Sequence, residues 1–419
     1  MARSFRFVHA ADLHVDSPLL GLRRYDGAPI GILGSATRRA FENLIDLCLE
    51  VEAAFLLIAG DLFDGDWRDM NTGLFAAQQL RRLGDTPVFL IRGNHDARSQ
   101  ISRELRFPDN VREFSSDAPE TVLVPDLGVA IHGQSFAQRE VTENLAAGYP
   151  PAREGHLNIG LLHTSLTGSP DHDTYAPARV DDLLARGYDY WALGHIHQHQ
   201  LVRERPWIVF AGNTQARHLR ERGRKGCMVI EVGGGEILEA RFEPLDVARW
   251  YSVALQLGRA DTADDLYRRV RSEIDLCHDD ADGRVAAIRV IVTGSCAAHA
   301  SLASAKDRSE ADAEIRNIAA DVSDHVWIER VSLATRPPVE VEPLREGQDL
   351  LGDLLRLAGA TRENPGSRED LLRDLAPLLD KAGAEIAAAG IDVEDPERLK
   401  SWIEEAESLL LTTLGGDEE

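Results

Sequence analysis

Seven side chains of the types that bind divalent cations lie where predicted β-strands end. They are Asp12, His14, Asp61, Asn94, His163, His195 and His197. Carboxylate, amide and imidazole groups together can hold two cations, and a pair of cations about 3.5–4 Å apart both activates water and neutralises a phosphate group. The set therefore indicates a hydrolase that acts on phosphoesters.

The most specific motif is Gly93-Asn94-His95-Asp96. An asparagine oxygen is a neutral ligand, and His95 beside it is predicted to face the substrate as a general acid or a charge stabiliser. Asp96 is predicted to hold the His95 ring in one tautomer. Alone, this run is also an ordinary turn sequence, so the prediction depends on all the motifs occurring in one chain.

Two further motifs place ligands in pairs. One residue separates Asp12 from His14, and one separates His195 from His197. On an extended segment, side chains two residues apart point to the same side, so each pair is predicted to converge from extended backbone. Asp61 follows a buried strand and a glycine, where it either bridges two cations or caps the next helix. A lone histidine at a strand end is more often an ordinary hydrogen-bonded residue.

Alternating apolar strands and amphipathic helices are predicted to position these ligands. Helices are predicted from about Ser35 and through Phe75, and strands at 5–11, 55–59, 88–91, 129–131, 159–162, 190–193, 207–210 and 227–230. This order predicts an α/β fold of βαβ units with mostly parallel strands buried on both faces. In such sheets ligands collect beyond the carboxyl ends of the strands, where all seven side chains lie.

Three domains are predicted. Residues 1–245 carry the ligand motifs, 246–340 form a small α+β cap domain, and 341–419 form a helical C-terminal segment. The segment carries leucines at helical spacing, among them Leu371, Leu372, Leu375, Leu378 and Leu379. Because such short helices have no core of their own, we expect the segment to pack on a partner.

Composition narrows the class of protein. The chain has 419 residues, of which 43% are hydrophobic, and no run approaches the roughly 20 apolar residues of a membrane span. The N-terminus lacks the apolar core of a signal peptide, so we expect a cytoplasmic protein without membrane contact. The four cysteines are far apart, which disfavours a zinc knuckle or a redox pair. The net charge of -24 opposes broad attraction to polyanions, although bound dications would reverse the sign inside the site.

A basic run follows the last ligand motif. It consists of Arg217, His218, Arg220, Arg222, Arg224 and Lys225. Runs of charge are usually solvated surface, whereas arginines also suit contact with phosphates, and both interpretations stay open here. Arg217 and His218 are the two residues predicted to bind substrate.

The motifs, in this order, resemble those of the calcineurin-like metallophosphoesterase superfamily. The stretches from Phe7 to Pro18 and from Gly212 to His218 resemble its SbcD/YhaO branch of DNA repair exonucleases. The resemblance covers roughly residues 5–245 and, more loosely, the second domain. It implies an α/β (α+β) fold with a four-layer β-sandwich flanked by helices, in place of a simple doubly wound sheet.

The resemblance also implies how the ligands are shared. One cation would be held by Asp12, His14, Asp61 and His197, and the other by Asp61, Asn94, His163 and His195. His95 would assist cleavage. The two divalent ions implied are Mn²⁺, with Zn²⁺, Fe²⁺ and Mg²⁺ as alternatives. Three residues after Asp61, where some members carry a histidine linked to handling duplex ends, this chain has Asp64.

The function implied is hydrolysis of DNA phosphodiester bonds by a two-metal-activated water, in a DNA repair exonuclease subunit that contacts backbone phosphates. The helical segment would dock on an SMC-like coiled-coil ATPase, and a homodimer is a further assembly left open. One alternative is a small-molecule phosphodiesterase or phosphatase with the same ligands. Another is a non-catalytic scaffold subunit of an ATPase complex, which the complete ligand set disfavours.

Overall fold

The computed structural model describes residues 4–17, 27–65, 69–97, 105–166, 175–339, 341–388 and 395–414. Pro18, which belongs to one of the motifs above, and the predicted helix start at Glu394 lie outside these ranges, as does the side chain of Leu378. The chain divides into two compact units. Unit 1 comprises Met1–Tyr251, Cys277–Ala287 and His325–Glu329, and unit 2 comprises Ser252–Leu276, Ile288–Asp324 and Arg330–Glu419.

The predicted strands and helices occur in the predicted order, together with further strands and short helices. The strands are β1 Phe5–Ala10, β2 Leu56–Ala59, β3 Val88–Ile91, β4 Val111–Glu113, β5 Glu120–Val124, β6 Val129–Gly133, β7 Leu157–His163, β8 Tyr190–Gly194, β9 Gln200–Arg203, β10 Trp207–Phe210, β11 Gly226–Gly233, β12 Glu236–Pro244, β13 Ala248–Gln256, β14 Val285–Ser295 and β15 Val326–Arg336. The helices are α1 Ile30–Leu33, α2 Ala36–Glu50, α3 Met70–Arg81, α4 Val180–Leu184, α5 Ala263–Ala281, α6 Ala305–Val322, α7 Val341–Arg345, α8 Leu350–Glu363, α9 Pro365–Ala388 and α10 Pro396–Leu414.

Unit 1 contains two six-stranded sheets. The first has the order β12-β11-β1-β2-β3-β4, and the second has the order β5-β6-β7-β8-β10-β9. Strands β1 to β4 pair in parallel with one another, as do β6, β7, β8 and β10. Strands β11, β12, β5 and β9 pair antiparallel with their neighbours. Because their strands run the same way, the carboxyl ends of β1, β2 and β3 meet at one edge of the first sheet, and those of β7 and β8 meet at one edge of the second.

An apolar layer joins the two sheets. Phe7 and Phe55 from the first sheet pack in one cluster with Ile159 and Tyr190 from the second. Neighbouring side chains in a strand point to opposite faces, so Val8 lies in a different cluster, beneath helices α2 and α3. Burial of each such large side chain contributes about 1.5–3 kcal/mol, which explains why these strands are apolar on both faces.

Helices cover the outer faces of both sheets. On the first sheet, Phe41 of α2 and Leu80 of α3 complete the outer cluster. On the second, Leu183 of α4 packs with Leu162 and Trp191. The order of layers is helix, sheet, sheet, helix, and the predicted four-layer β-sandwich flanked by helices is confirmed.

The remaining strands form a third sheet with the order β13-β14-β15. Helix α5 follows β13 and helix α6 follows β14, which is the small α+β arrangement expected from the sequence. Strand β13 begins at Ala248, close to the predicted start of the second domain. The division into three domains stays a prediction.

The C-terminal helices differ in one respect from expectation. Leu351 and Leu355 of α8 pack with Leu411 of α10. The buried carboxylate of Glu407 also pairs with Arg345, with Nη2 and Oε1 3.0 Å apart. The prediction that this segment has no core of its own is therefore wrong: it has a small one. Among the helices of the described residues, none is long and apolar enough to cross a membrane.

Candidate metal centre

Tight turns beyond the strands bring the predicted ligands together. Asp12 (φ 51°) and His14 (φ 43°) follow β1, Asp61 (φ 52°) follows β2, and His195 (φ 98°) follows β8. Positive φ values are uncommon for residues other than glycine and cluster at functional sites. The prediction that the ligand pairs lie on extended backbone is therefore wrong, because left-handed turns aim these side chains.

The first ligand group consists of Asp12, His14 and His197, whose ligand atoms lie within 4.8 Å of one another. The Nε2 atoms of the two histidines are 3.2 Å apart, and His197 Nε2 is 3.9 Å from Asp12 Oδ1. Asp12 and His14 are each 1% exposed. Three potential donors to a cation thus face one point in a nearly closed part of the site.

The second group consists of Asp12, Asp61 and His163. His163 Nε2 lies 3.4 Å from Asp61 Oδ2 and 3.0 Å from the side-chain oxygen of Asn94. The ring of His195 lies beside it, with ring centroids 5.3 Å apart. All seven predicted ligands therefore gather in one place. Asp12 belongs to both groups, while the bridging role that the resemblance gives to Asp61 stays a prediction.

Hydrogen bonds on the far side of two rings determine which nitrogen faces the site. His163 Nδ1 donates to the carbonyl oxygen of Ala59 at 2.8 Å, and His197 Nδ1 donates to Glu221 Oε1 at 2.7 Å. A ring that donates from Nδ1 and carries no second proton presents a lone pair at Nε2. In the second group the lone pair on His163 Nε2 would face the oxygens of Asp61 and Asn94, which are also acceptors. Three acceptor atoms this close together repel one another unless a proton or a cation lies between them. The residues fit a divalent cation at each group.

Burial and neighbouring charge control protonation in the site. Burial, together with the positive charge of Arg217, lowers the pKa of His14 well below its usual value, so its ring is neutral. Burial also opposes protonation of His163, but the Asp61 carboxylate outweighs it and raises the pKa of His163 to about 9. The pKa of Asp61 is lowered despite burial, because His163 lies against it. Asp61 is therefore ionised, and a nearby positive charge stabilises this buried anion.

His95 lies next to the two ligand groups and forms a third group with His14 and Asp64, whose ligand atoms lie within 4.8 Å of one another. Its side chain is 31% exposed, and its ring centroid lies 4.9 Å from that of His14. His95 Nδ1 is 3.0 Å from Asp64 Oδ1. Burial lowers its tendency to protonate, but the hydrogen bond to Asp64 and the nearby carboxylates raise the pKa of His95 overall. A protonated ring next to the ligand groups can stabilise negative charge on a phosphate.

Asp96 does not take the predicted role. Its carboxylate accepts hydrogen bonds from the backbone N–H groups of Leu62 (3.0 Å), Phe63 (2.9 Å) and Gly93 (3.4 Å). The prediction that Asp96 orients His95 is wrong, because Asp64 occupies that place. Asp96 instead holds together the two turns that carry Asp61 and Asn94, and burial raises its pKa to about 7.

Similarity to known proteins assigns the chain to a family. The calcineurin-like phosphoesterase family matches residues 5–199, and the middle domain of metallophosphoesterase YhaO matches residues 250–336. The "Uncharacterized metallophosphoesterase YhaO" of Bacillus subtilis (strain 168) is 34% identical over 301 residues, which are 70% of this chain and 73% of the relative. The chain belongs to the calcineurin-like metallophosphoesterase family.

Other relatives of this metallophosphoesterase carry names of DNA enzymes. The "DNA double-strand break repair protein Mre11" of Methanopyrus kandleri is 26% identical over 297 residues, which are 64% of this chain and 62% of the relative. A subunit of the "Nuclease SbcCD" of Staphylococcus epidermidis is 22% identical over 295 residues, which are 64% of this chain and 75% of the relative. The predicted resemblance to the SbcD/YhaO branch is confirmed.

The predicted substrate-binding residues lie at different depths in this metallophosphoesterase. Arg217 is 15% exposed, and its Nη2 and Nη1 atoms lie 2.9 Å from Glu221 Oε1 and 3.6 Å from Asp64 Oδ2. His218 is 56% exposed at the rim, with Nε2 3.9 Å from Glu221 Oε1. Sequence reasoning missed Glu221 altogether and treated Asp64 only as a departure from the family pattern. An acidic residue inside a basic run was the signal available in the sequence for Glu221.

Proposed function

We propose that this metallophosphoesterase hydrolyses phosphodiester bonds of DNA with two divalent cations, as a nuclease subunit of DNA repair. The observation that carries the proposal is the pair of overlapping ligand groups that share Asp12 and adjoin the partly exposed His95. One cation needs one such group, whereas two adjoining groups suit a phosphate that contacts two cations at once.

Each cation position has its own set of ligands. Asp12, His14, Asp61 and His197 would hold the first, and Asp61, Asn94, His163 and His195 the second, with Asp12 close to the ligand atoms of both positions. When bound, the two ions would supply Lewis-acid activation of water and neutralise charge on the phosphate. We propose Mn²⁺ at both positions, since carboxylate, amide and imidazole ligands all accept it, with Zn²⁺, Fe²⁺ and Mg²⁺ as the alternatives to be compared by reconstitution.

The protein's own side chains would orient the phosphate and stabilise the charge that develops on it. His95, with Nδ1 held by Asp64, would direct a proton on Nε2 toward a phosphate oxygen or the leaving oxygen. The Asp12 carboxylate accepts from the backbone N–H of His195 at 3.0 Å, which fixes its orientation toward the two positions. Rigid placement of this kind lowers the entropic cost of reaching the transition state.

DNA is the substrate that the relatives support. Three observations favour it over a small molecule: the names of the Mre11 and SbcCD relatives, the match to a middle domain beyond the phosphoesterase domain, and the additional helices α7 to α10. The protein would contact backbone phosphates and would not read the bases. We propose the cytoplasm as the compartment in which it acts on DNA. The net charge of -24 makes any such contact local to the site.

A comparison of two substrates tests the choice. Metal-free protein reconstituted with Mn²⁺ should degrade linear duplex DNA and lose this activity when Asp61 is replaced by asparagine. Turnover of a simple aryl phosphodiester without any cleavage of single- or double-stranded DNA would favour the small-molecule alternative instead. Substrates with blocked 5′ or 3′ ends would separate exonuclease from endonuclease action.

The scaffold alternative calls for a second variant. His95→Asn should abolish cleavage while the metal content measured by mass spectrometry stays unchanged, since His95 lies beside the ligand groups and not within them in the proposed assignment. Full activity in this variant would point to a contaminating nuclease and to a scaffold role. A matched change at the exposed His218, His218→Asn, should leave the metal content unchanged and lower activity only if the rim contacts substrate.

The C-terminal helices are proposed as the docking segment for an SMC-like coiled-coil ATPase. Leu350 and Leu357 of α8 and Leu409 of α10 are 67%, 64% and 58% exposed, although the same helices bury other leucines. Exposed leucines at positions i and i+7 of one helix suit packing against another helix. Copurification with such an ATPase should survive Leu238→Glu, a change on strand β12, and fail with Leu350→Glu/Leu357→Glu. Equal capture of the ATPase by both variants would contradict the docking proposal. A dimer of this protein alone in analytical ultracentrifugation would support the homodimer.

A further inference from the structure

Behind the first cation position lies a buried carboxylate with a full set of hydrogen bonds. Glu221 is 6% exposed and lies in the segment between β10 and β11. It accepts from His197 Nδ1 (2.7 Å), from the backbone N–H of Arg217 (2.7 Å) and from Asn213 Nδ2 (3.0 Å). Burying a charge is costly unless it is paired. Because the surrounding donors are arranged around the Glu221 carboxylate, we expect the orientation of His197 to depend on it.

A second residue of this segment, Lys225, contacts the main chain of the metal-ligand residue His197. Lys225 is 2% exposed, and its Nζ donates to the carbonyl oxygen of His197 at 2.6 Å. The guanidinium of Arg217 lies against the Glu221 carboxylate, with Nη2 and Oε1 2.9 Å apart, and balances its charge. His197 is therefore held by two hydrogen bonds: its ring donates to the anionic Glu221, and its carbonyl oxygen accepts from the cationic Lys225.

The two cation positions differ in what supports their histidines. At the first position the acceptor behind the ring of His197 is the carboxylate of Glu221, whereas at the second the acceptor behind His163 is the neutral carbonyl of Ala59. A carboxylate behind an imidazole fixes the ring and makes Nε2 a stronger donor to a metal, and losing such a partner costs about 10- to 100-fold in metal affinity.

We propose that Glu221 and Lys225 are a positioning pair that sets the cation affinity of the position shared by Asp12, His14 and His197. The inference rests on the proposed two-cation function and extends it to residues outside the ligand set. It also assigns Arg217 to charge balance behind the site, where the sequence suggested contact with substrate. Both members of the pair act through His197, and neither touches the reacting phosphate.

The test measures Mn²⁺ binding directly. Wild-type full-length protein, stripped of metal and titrated with Mn²⁺ while free Mn²⁺ is followed by electron paramagnetic resonance, should take up two ions. In Glu221→Gln, which keeps the size and an acceptor oxygen, one of the two affinities should fall about 10- to 100-fold while the other is unchanged. The spectrum of the bound ions should change from that of a coupled pair to that of a single ion at low Mn²⁺.

Three further variants sharpen the result. Lys225→Met should weaken the same single affinity, and Lys225→Arg should restore it, because arginine can still donate to the His197 carbonyl. Glu243→Gln is the matched control: this carboxylate pairs with an arginine, Arg241, in the same unit but lies on β12. If Glu221→Gln is insoluble, Lys225→Met carries the test alone, with circular dichroism as the check of folding.

The outcomes separate the two proposals. Two Mn²⁺ ions bound by wild type, with both affinities unchanged in Glu221→Gln and Lys225→Met, would overturn the positioning role and leave the proposed function intact. Equal weakening at both positions would overturn it as well, since a general loss of structure predicts that pattern. No Mn²⁺ bound by wild type would instead overturn the proposed function on which the inference rests.

Discussion

Replacing Asp64 removes the negative charge that lies against the His95 ring. Asp64 Oδ1 is 3.0 Å from His95 Nδ1, and Asp64 Oδ2 accepts from the hydroxyl of Ser17 at 2.7 Å. The carboxylate is thus held in place by its own partners and in turn orients the histidine. We expect Asp64 variants to lower the rate of hydrolysis through His95 and to leave the cation positions occupied.

The size of the effect follows from the type of hydrogen bond. A hydrogen bond to a charged group contributes about 1.5–3 kcal/mol, and one between neutral groups about 0.5–1.5 kcal/mol. Asp64→Asn keeps an acceptor and loses the charge, about 1–1.5 kcal/mol, so kcat should fall about 5- to 10-fold. Asp64→Ala loses the whole contact, so kcat should fall about 10- to 150-fold.

A double-mutant cycle on an aryl phosphodiester or linear DNA separates this mechanism from a general defect. If Asp64 acts through His95, Asp64→Ala adds nothing to the loss already caused by His95→Asn. Asp46→Asn, which changes an exposed carboxylate paired with Arg82, is the control for the charge change. Wild-type kcat in Asp64→Ala, or losses that multiply in the double variant, would refute the reasoning.

Three other predictions concern packing, backbone and pH. Leu355→Ala in α8, at a fully buried position, should lower the free energy of unfolding by about 2–5 kcal/mol, whereas Leu357→Ala on the same helix, at a position 64% exposed, should change it by less than about 0.5 kcal/mol in urea titrations. Gly60→Ala (φ +92°) should abolish cation binding at the His163 position, because a Cβ there would lie 2.5 Å from His163 Nδ1; Gly235→Ala, with a closely similar φ of +88° and open space, is the control, and equal metal content in both would contradict this. Burial lowers the pKa of His9 from 6.5 to about 3. The unfolded chain therefore binds the proton first as the pH falls, so stability is complete above about pH 6.5 and decreases by up to about 1.4 kcal/mol per pH unit below it. This slope should flatten in His9→Asn, and an unchanged slope would rule out the buried neutral histidine.

The interior strands of unit 1 were predictable from sequence because they are buried on both faces. Runs such as Leu56–Ala59 are continuously apolar, and such runs bounded by turns indicate a strand within a sheet. The four strands that the sequence did not reveal, β4, β5, β9 and β12, are the outermost strands of the two sheets. Their residues are largely half-buried or exposed, as in β9, so they carry no continuous apolar pattern.

The gathering of the ligands was predictable for a topological reason. Parallel strands that end at one edge bring the residues after them together within each sheet, and this needs no knowledge of side-chain geometry. The packing of the two sheets on one another then brings the two sets of ligands together. The path by which the ligands converge was not predictable, because left-handed turns at Asp12 and His14 replace the extended segment that the spacing suggested. Backbone strain of this kind depends on surrounding contacts and leaves no mark in sequence spacing.

The supporting residues of the site were also hidden. Asp96 is adjacent to His95 in sequence, yet Asp64, 31 residues earlier, holds the ring. Glu221 is separated by 24 residues from the His197 that it holds. Partners that lie behind a ligand are chosen by tertiary folding, so a sequence motif names the ligand and omits the group that orients it.

The most direct measurement is a crystal structure of the full-length protein grown with Mn²⁺, with anomalous scattering recorded at the manganese absorption edge. The account predicts two anomalous peaks about 3.5–4 Å apart, one beside His14 and His197 and the other beside Asn94 and His163. A single peak, or peaks away from these side chains, would contradict the two-cation centre.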